Sequence, residues 1–135
     1  KAGQTFNRVV VTEDEARQRM ANEPYKLELI DDARAAGYTL ILHCLLIPEE
    51  LAVQRVRHRV RAGGHHVPEK KIRERYQRLW DLVTIAAIRV DSATFYDNSA
   101  VSGPRIVAQI VGGFVVGSPT WPTWTPTALS SRWPG

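Results

Sequence analysis

The chain has 135 residues and a formal net charge of +4, and 44% of its residues are hydrophobic. This length suits one domain or part of one, and the composition is typical of a folded globular protein. The longest apolar run, YTLILHCLLI (38–47), is about half the ~20 residues that a membrane-spanning helix needs. The single cysteine, Cys44, excludes an internal disulfide framework. We therefore expect a cytoplasmic protein that does not contact a membrane.

Two short polar-flanked segments come first. FNRVVV (6–11) is rich in β-branched residues and predicts a strand, and TEDEARQRMANE (12–23) predicts a polar helix capped by Thr12. A further helix is predicted from Pro24, and it ends at Gly37, because glycine favours the backbone conformation of a helix C-terminus.

The middle of the chain alternates between strand and helix. The apolar run 38–47 predicts a central strand of a parallel sheet, covered on both faces. Pro48 begins a helix that ends at Gly63, and Pro68 begins a longer amphipathic helix. This alternation predicts an α/β fold.

The last third contains two apolar segments and a tail rich in tryptophan and proline. ATFYDN (93–98) predicts a strand, and RIVAQIVGGFVVG (105–117) predicts a final apolar element. Residues 118–135, with WPTWTPTALSSRWPG at their end, form the predicted tail. Because indole rings favour burial, we expect the tail to dock on the domain surface, and a peptide arm for a partner is the alternative.

Positive charge is concentrated between Arg55 and Arg78. This segment holds seven Arg and two Lys but only Glu69 and Glu74, a net charge of +7, whereas the rest of the chain sums to −3. Glu69 and Glu74 each precede an arginine by four residues, so Arg73 and Arg78 are predicted to be ion-paired on the surface. The remaining basic residues predict an anion site, with a solvated basic face as the alternative.

The Gly-Gly break inside this segment predicts a hinge between two helices. A basic hinged segment can close over a phosphate, which phosphoryl-transfer enzymes require. A nucleic-acid backbone is a less favoured partner, because few aromatic residues accompany the arginines. Adjacent histidines such as His65 and His66 rarely bind one ion, so no metal ligand is predicted.

GYTLILHCLLIPEELAVQRVRHRVRAGGHHVPEKKIRERYQRLWDLV, followed by YDNS (96–99), resembles the rear half of the zeta-toxin-like P-loop kinases. The resemblance covers roughly residues 24–99. It implies a partial three-layer, P-loop-kinase-like parallel sheet over residues 1–117, with flanking helices and a helical lid at about 55–78. It also implies a kinase that transfers phosphate from ATP, with Mg²⁺, to a hydroxyl of a small molecule such as a UDP-amino sugar, and an antitoxin-like partner.

By the same resemblance, Arg59 and Arg75 are candidate catalytic residues that contact the transferred phosphate. The candidate cofactor-binding residues are Arg55, Arg73, His65, Gly63 and Gly64. The family's phosphate-binding loop, G-x-x-x-x-G-K-[ST], is absent from this sequence, and the first residue is Lys1 rather than Met. We therefore expect the chain to be inactive alone, as the lid-bearing part of a kinase.

Two functions of other classes stay open. The basic segment 55–78 could serve a non-catalytic module that binds anions or nucleic acid. Alternatively, the tail could make this an interaction protein.

Overall fold

The computed structural model describes residues 23–64 and 66–135. The predicted strand 6–11, nearly all of the predicted helix 12–23, and His65 lie outside these residues. The described chain contains the following elements: α1 (Glu23–Ala35), β1 (Ile41–Leu46), α2 (Glu49–Arg61), α3 (Glu69–Arg89), β2 (Ser92–Asp97), β3 (Arg105–Val111), β4 (Phe114–Val115) and α4 (Thr127–Arg132).

The strands form one sheet in the order β1-β2-β3-β4. β1 and β2 are parallel, whereas β3 and β4 pair antiparallel to their neighbours. A parallel pair needs a long crossover, and α2 and α3 supply it. The mixed α/β architecture with flanking helices is thus confirmed, but the sheet is only partly parallel and its likeness to a P-loop kinase is not confirmed.

The prediction that residues 38–47 form a central strand covered on both faces is wrong. β1 lies at an edge of the described sheet, and its side chains alternate between exposed and less exposed. Ile41 is 60% exposed and Leu45 is 54% exposed, whereas Leu46 is fully buried. A continuous apolar run does not distinguish a strand covered on both faces from one covered on a single face, because apolar side chains also occur on the exposed face of a strand.

α3 is the amphipathic helix predicted after Pro68. Ile72, Trp80 and Ala87 on one of its sides are buried, while Tyr76 and Leu79 pack partly buried against the core. This stripe holds the helix against one face of the sheet. Among the described residues, no helix has both the length and the apolar character needed to cross a bilayer.

The segment predicted as a single apolar element, 105–117, is a hairpin of β3 and β4. Gly112 and Gly113 connect the two strands with φ values of 57° and 86°. Both values lie in the left-handed region, where side chains with a Cβ are disfavoured. Ile110 is fully buried beneath the hairpin.

The tail is docked on the core, as the tryptophan content predicts. Trp133 and Leu129 belong to the buried cluster, and Trp121 packs against it. The Trp133 indole N–H donates to the Gly113 carbonyl at 3.0 Å, and the Trp121 indole N–H donates to the Trp133 carbonyl at 2.7 Å. The Phe95 ring lies between both indoles, with centroids 5.5 and 6.1 Å away. The tail thereby covers the end of the core beside the hairpin.

Candidate functional site

α2 separates apolar and basic residues between its two sides. Val53 is buried, and Val56 and Val60 are partly buried towards the rest of the protein. Because these valines recur at three- and four-residue spacing, the other residues of the helix must face outward. The outward residues are Gln54, Arg55, Arg57, His58, Arg59 and Arg61, all exposed.

The exposed side of α2 is an open basic surface. Four of its arginines, Arg55, Arg57, Arg59 and Arg61, line a shallow depression of about 630 Å³ together with His58. No acidic residue occurs between Glu50 and Glu69. At a rise of ~1.5 Å per residue, these guanidinium groups are distributed along roughly 9 Å of helix axis. We call Arg55, Arg59 and Arg61, the three of these arginines without an ion pair among the described residues, the α2 arginine face, although Arg61 lies on a different side of the helix from the other two.

The helix ends in a hydrogen-bonded turn at the two predicted hinge glycines. Gly63, with φ of 102°, donates its N–H to Val60 at 3.1 Å, and Gly64 donates to Arg59 at 2.9 Å. A Cβ on Gly64 would come within 3.0 Å of the Arg59 carbonyl oxygen. The glycines therefore allow a tight helix stop next to Arg59.

An ion-pair network connects the beginning of α2 to the beginning of α3. The Arg73 guanidinium contacts Glu50 at 2.7 Å, Glu49 at 3.3 Å and Glu69 at 3.6 Å. Glu69 also pairs with Arg57 across the turn. We call Arg73, Glu49, Glu50, Glu69 and Arg57 the α2–α3 network; it fixes the two helices side by side.

The network shifts the pKa of two of its members in the directions that ion pairing favours. The hydrogen bond from Arg73, with the charge of that guanidinium, lowers the pKa of Glu50 below its usual range. The hydrogen bond to Glu50 raises the pKa of Arg73 further above its already high value. Both groups are charged at neutral pH, so Arg73 is occupied by carboxylates rather than open to a ligand.

The predicted site residues do not form one cluster. Arg55 and Arg59 lie on one side of α2 and Arg61 lies with Arg57 on another, and none of Arg55, Arg59 and Arg61 has a carboxylate within ion-pair distance among the described residues. Arg75 lies on α3, where its spacing of four from Lys71 and three from Arg78 places the three on a separate exposed side. Arg73 belongs to the α2–α3 network.

The two predicted helical ion pairs had different outcomes. Arg73 and Glu69 pair as predicted, at 3.6 Å. The predicted pair between Glu74 and Arg78 is wrong, because Glu74 instead lies 3.9 Å from Lys70. The pair between Arg57 and Glu69 was missed, because it depends on how the turn folds back and not on spacing along one helix.

The other polar groups near the strand ends serve the fold. Asp97 accepts hydrogen bonds from the Ser99 hydroxyl at 2.6 Å and the Ser99 N–H at 2.9 Å, which lower the pKa of Asp97. The carboxylate therefore closes the turn after β2. Burial raises the pKa of the Cys44 thiol to about 12, so this cysteine is not a nucleophile at neutral pH.

Two observations on the described residues concern the ATP and Mg²⁺ that the kinase resemblance implied. No group of three or more His, Cys, Asp or Glu side chains in this part of the chain could hold a metal ion. The junction from β1 into α2 carries Pro48, Glu49 and Glu50 instead of a glycine-rich loop, and carboxylates at a helix N-terminus repel phosphate.

Comparisons with known proteins found short similarities to one class of enzyme. The chain is 62% identical over 37 residues to the threonine–tRNA ligase of Parafrankia sp., a stretch that covers 27% of this chain and 6% of that protein. It is 67% identical over 33 residues to the threonine–tRNA ligase of Mycolicibacterium vanbaalenii, covering 24% of this chain and 5% of the other. It is 74% identical over 27 residues to the threonine–tRNA ligase of Paenarthrobacter aurescens, a stretch that covers 20% of this chain and 4% of that protein.

Neither a protein-family model nor a solved structure matches the chain. Because the matched stretches cover only 4–6% of the three relatives, the chain spans a small part of their length. The similarity to threonine–tRNA ligases contradicts the resemblance to zeta-toxin-like kinases. The predicted kinase activity is therefore wrong, and the toxin–antitoxin assignment is wrong with it.

Proposed function

We propose that this chain is an RNA-binding domain related to aminoacyl-tRNA synthetases and that the α2 arginine face contacts the phosphate backbone of a tRNA. The relatives described above are threonine–tRNA ligases. The observation that carries the proposal is the exposure of Arg55, Arg59 and Arg61 without a carboxylate partner among the described residues. Guanidinium groups are well suited to phosphate because their planar donors form two-point contacts.

Charge and geometry favour a backbone contact over the reading of bases. The nearest aromatic residues along the chain, Tyr76 and Trp80, are not available for stacking. The Tyr76 hydroxyl donates to the Ile47 carbonyl at 2.7 Å, and Trp80 is 3% exposed. Arginines without aromatic platforms bind phosphates electrostatically and with little sequence preference.

The proposed partner, a tRNA, differs from the nucleotide and the small-molecule substrate that the sequence predicted. A free nucleotide offers few phosphates, whereas the α2 arginine face is open along roughly 9 Å of helix axis and is not enclosed. An extended polyanion engages several separated guanidinium groups at once. Binding of this kind uses neither ATP nor Mg²⁺.

Fluorescence anisotropy with a labelled threonine tRNA transcript tests the proposal. The triple variant Arg55→Ala, Arg59→Ala, Arg61→Ala should weaken binding about 10- to 100-fold at low salt, since each exposed ionic contact contributes about 0.5–1 kcal/mol. The slope of log K against log salt should also fall by roughly two to three.

A matched control removes the same charge from α3. The triple variant Lys71→Ala, Arg75→Ala, Arg78→Ala also lowers the net charge by three, and it should keep most of the affinity. Equal losses in both variants would show that overall charge, and not the α2 arginine face, governs binding. No binding of tRNA by the wild type, or displacement of tRNA by equimolar ATP, would overturn the proposed function.

A further inference from the structure

A small cleft lies between the end of α2, the beginning of α3 and the turn that joins them. Its floor is apolar and consists of Val56 and Val60 from α2, Val67 from the turn and Ile72 from α3. Ile72 is buried and the three valines are partly buried, so the floor is part of the packed contact between the helices. The volume of the cleft is about 270 Å³. Sites for drug-sized ligands have roughly 300–1,000 Å³, so this cleft suits a single small group.

Polar side chains surround the apolar floor. Arg57, Arg61, His66 and Glu69 line the cleft and are exposed, so they form its rim. Arg57 pairs with Glu69 at this rim, whereas Arg61 has no ion pair among the described residues. Guanidinium groups donate hydrogen bonds, a carboxylate accepts them, and a neutral imidazole does both. The cleft therefore suits a flat heterocycle with apolar faces and hydrogen-bonding edges.

The cleft is continuous with the basic depression on α2. Arg57 and Arg61 line both, whereas Arg55 and Arg59 line only the depression. A phosphate backbone that follows the depression therefore reaches Arg61 beside the apolar floor. A group that binds here combines negative charge, to match the open guanidinium of Arg61, with an apolar ring. Among the parts of an RNA, a nucleotide with an unstacked base has this combination.

We infer that the cleft holds the base of one unpaired nucleotide of the RNA, with the phosphate of that nucleotide on Arg61. This inference rests on the proposed function and adds to it a preference for RNA that contains an unpaired nucleotide. In a duplex the faces of the bases are stacked, whereas bases in loops, bulges and ends can be splayed out. Aliphatic side chains contact the faces of all four bases alike, so the cleft selects unpaired nucleotides without reading their sequence.

Two labelled RNA hairpins that differ by one base test the inference. Both contain the same single-nucleotide bulge, but the bulged nucleotide is adenosine in one hairpin and abasic in the other, so their phosphates are equal in number. In fluorescence anisotropy the wild type should bind the adenosine hairpin about 3- to 10-fold more tightly, because only this hairpin has a base to bury in the cleft. Equal affinity for the two hairpins would overturn the inference.

A variant of the floor, with a matched control, locates the preference. Val67→Asn makes the floor polar without changing the charge, and it should bind both hairpins as the wild type binds the abasic one. Val101→Asn makes the same exchange at an exposed valine in the loop after β2, and it should keep the preference. Circular dichroism confirms that both variants are folded. Loss of the preference in both variants, or its persistence in Val67→Asn, would overturn the assignment to the cleft.

A fluorescent base provides a measurement that needs no variant. In a third hairpin, 2-aminopurine replaces the bulged adenosine. Binding of the wild type should protect this base from quenching by acrylamide, because the base becomes enclosed between two helices. A base that is quenched as strongly in the complex as in the free hairpin would overturn the inference.

The same hairpins separate the failure of this inference from that of the proposed function. Equal binding of both hairpins, weakened by the triple variant Arg55→Ala, Arg59→Ala, Arg61→Ala, would leave the phosphate contacts standing and overturn only the base contact. If neither the hairpins nor the tRNA transcript bind, the proposed function fails and this inference fails with it. Displacement of the adenosine hairpin by equimolar adenosine monophosphate would overturn RNA as the source of the nucleotide. Displacement by an equimolar peptide of alternating leucine and glutamate would overturn the nucleotide as the occupant.

Discussion

Phe95 and Phe114 lie on opposite faces of the same four-stranded sheet, and their surroundings have little in common. Phe95 is fully buried between Trp121 and Trp133, whereas Phe114 is 80% exposed. On the covered face, α3 and the docked tail fill the space above the strands. Apolar character alone therefore does not show which face of this sheet holds the fold together.

The comparison of faces extends to the helices that cover the sheet. In α2, Val53 is buried against the rest of the protein, whereas the residues of the α2 arginine face are exposed. The residue that packs the helix is therefore not one of those that carry its exposed charge. Within the basic segment, Arg73 and Arg57 stabilise the packing of α2 on α3, while Arg55, Arg59 and Arg61 stay open to solvent. Arginines held in ion pairs and arginines open to solvent thus occur within 20 residues of one another.

The largest expected effect distinguishes the two phenylalanines. Phe95→Ala should lower the free energy of unfolding by about 3–5 kcal/mol, because it removes a fully buried ring and leaves a cavity beside two indoles. Phe114→Ala should change it by no more than about 0.5 kcal/mol. Urea denaturation measures both.

Ile110 and Val111 provide a milder version of the same test. They are neighbours in β3 but face opposite sides, with Ile110 fully buried and Val111 53% exposed. Ile110→Val should lower the free energy of unfolding by about 0.5–1.5 kcal/mol. A comparable loss from Val111→Ala would contradict the assignment of the two faces.

Local sequence signals predicted most of the element boundaries. α2 begins directly after Pro48 and ends just before Gly63, and α3 begins directly after Pro68. Proline restricts the backbone and glycine frees it at single positions, so these ends can be predicted from local sequence. The tail was predicted to dock because its indole rings need burial. Each of these conclusions depends on residues a few positions apart.

The errors concern contacts between distant residues. The apolar run 38–47 does not specify that β1 lies at an edge of the sheet formed by the described residues, since strand order depends on which segments pair with it. The pair of Arg57 with Glu69 requires the turn between α2 and α3, and Lys70 competes with Arg78 for Glu74. The sequence therefore predicted the pairing of Arg73 correctly, but it assigned Arg78 to an ion pair and left Arg57 open, the reverse of what the structure shows.

Arg73 and Arg78 offer a smaller effect, on the stability of the helix pair. Arg73→Ala removes the partner of three carboxylates and leaves Glu49, Glu50 and Glu69 close together. It should lower the melting temperature, whereas Arg78→Ala, which has no ion pair among the described residues, should leave it unchanged. Thermal unfolding followed by circular dichroism measures both, and equal effects would contradict the division between paired and open arginines.

The smallest effect concerns the pH dependence that Glu50 contributes. Arg73 lowers the pKa of Glu50 in the folded state below the ordinary value of 4.5. The folded protein therefore binds this proton less readily than the unfolded chain does, so the contribution is fully present above about pH 4.5 and is lost as pH falls through the lowered pKa. Glu50→Gln should therefore lower the free energy of unfolding at pH 7. Near pH 2 the variant and the wild type should have the same free energy of unfolding, because Glu50 is then protonated.

Salt separates this pairing from other effects of the Glu50 substitution. Because Glu50 is exposed, a high salt concentration should screen its attraction to Arg73 and reduce the difference between the wild type and Glu50→Gln at pH 7. Urea denaturation at pH 2, 4 and 7, with and without 1 M NaCl, measures this difference. A difference that stays constant across pH and salt would show that the Glu50 side chain stabilises α2 by its packing and not by its charge.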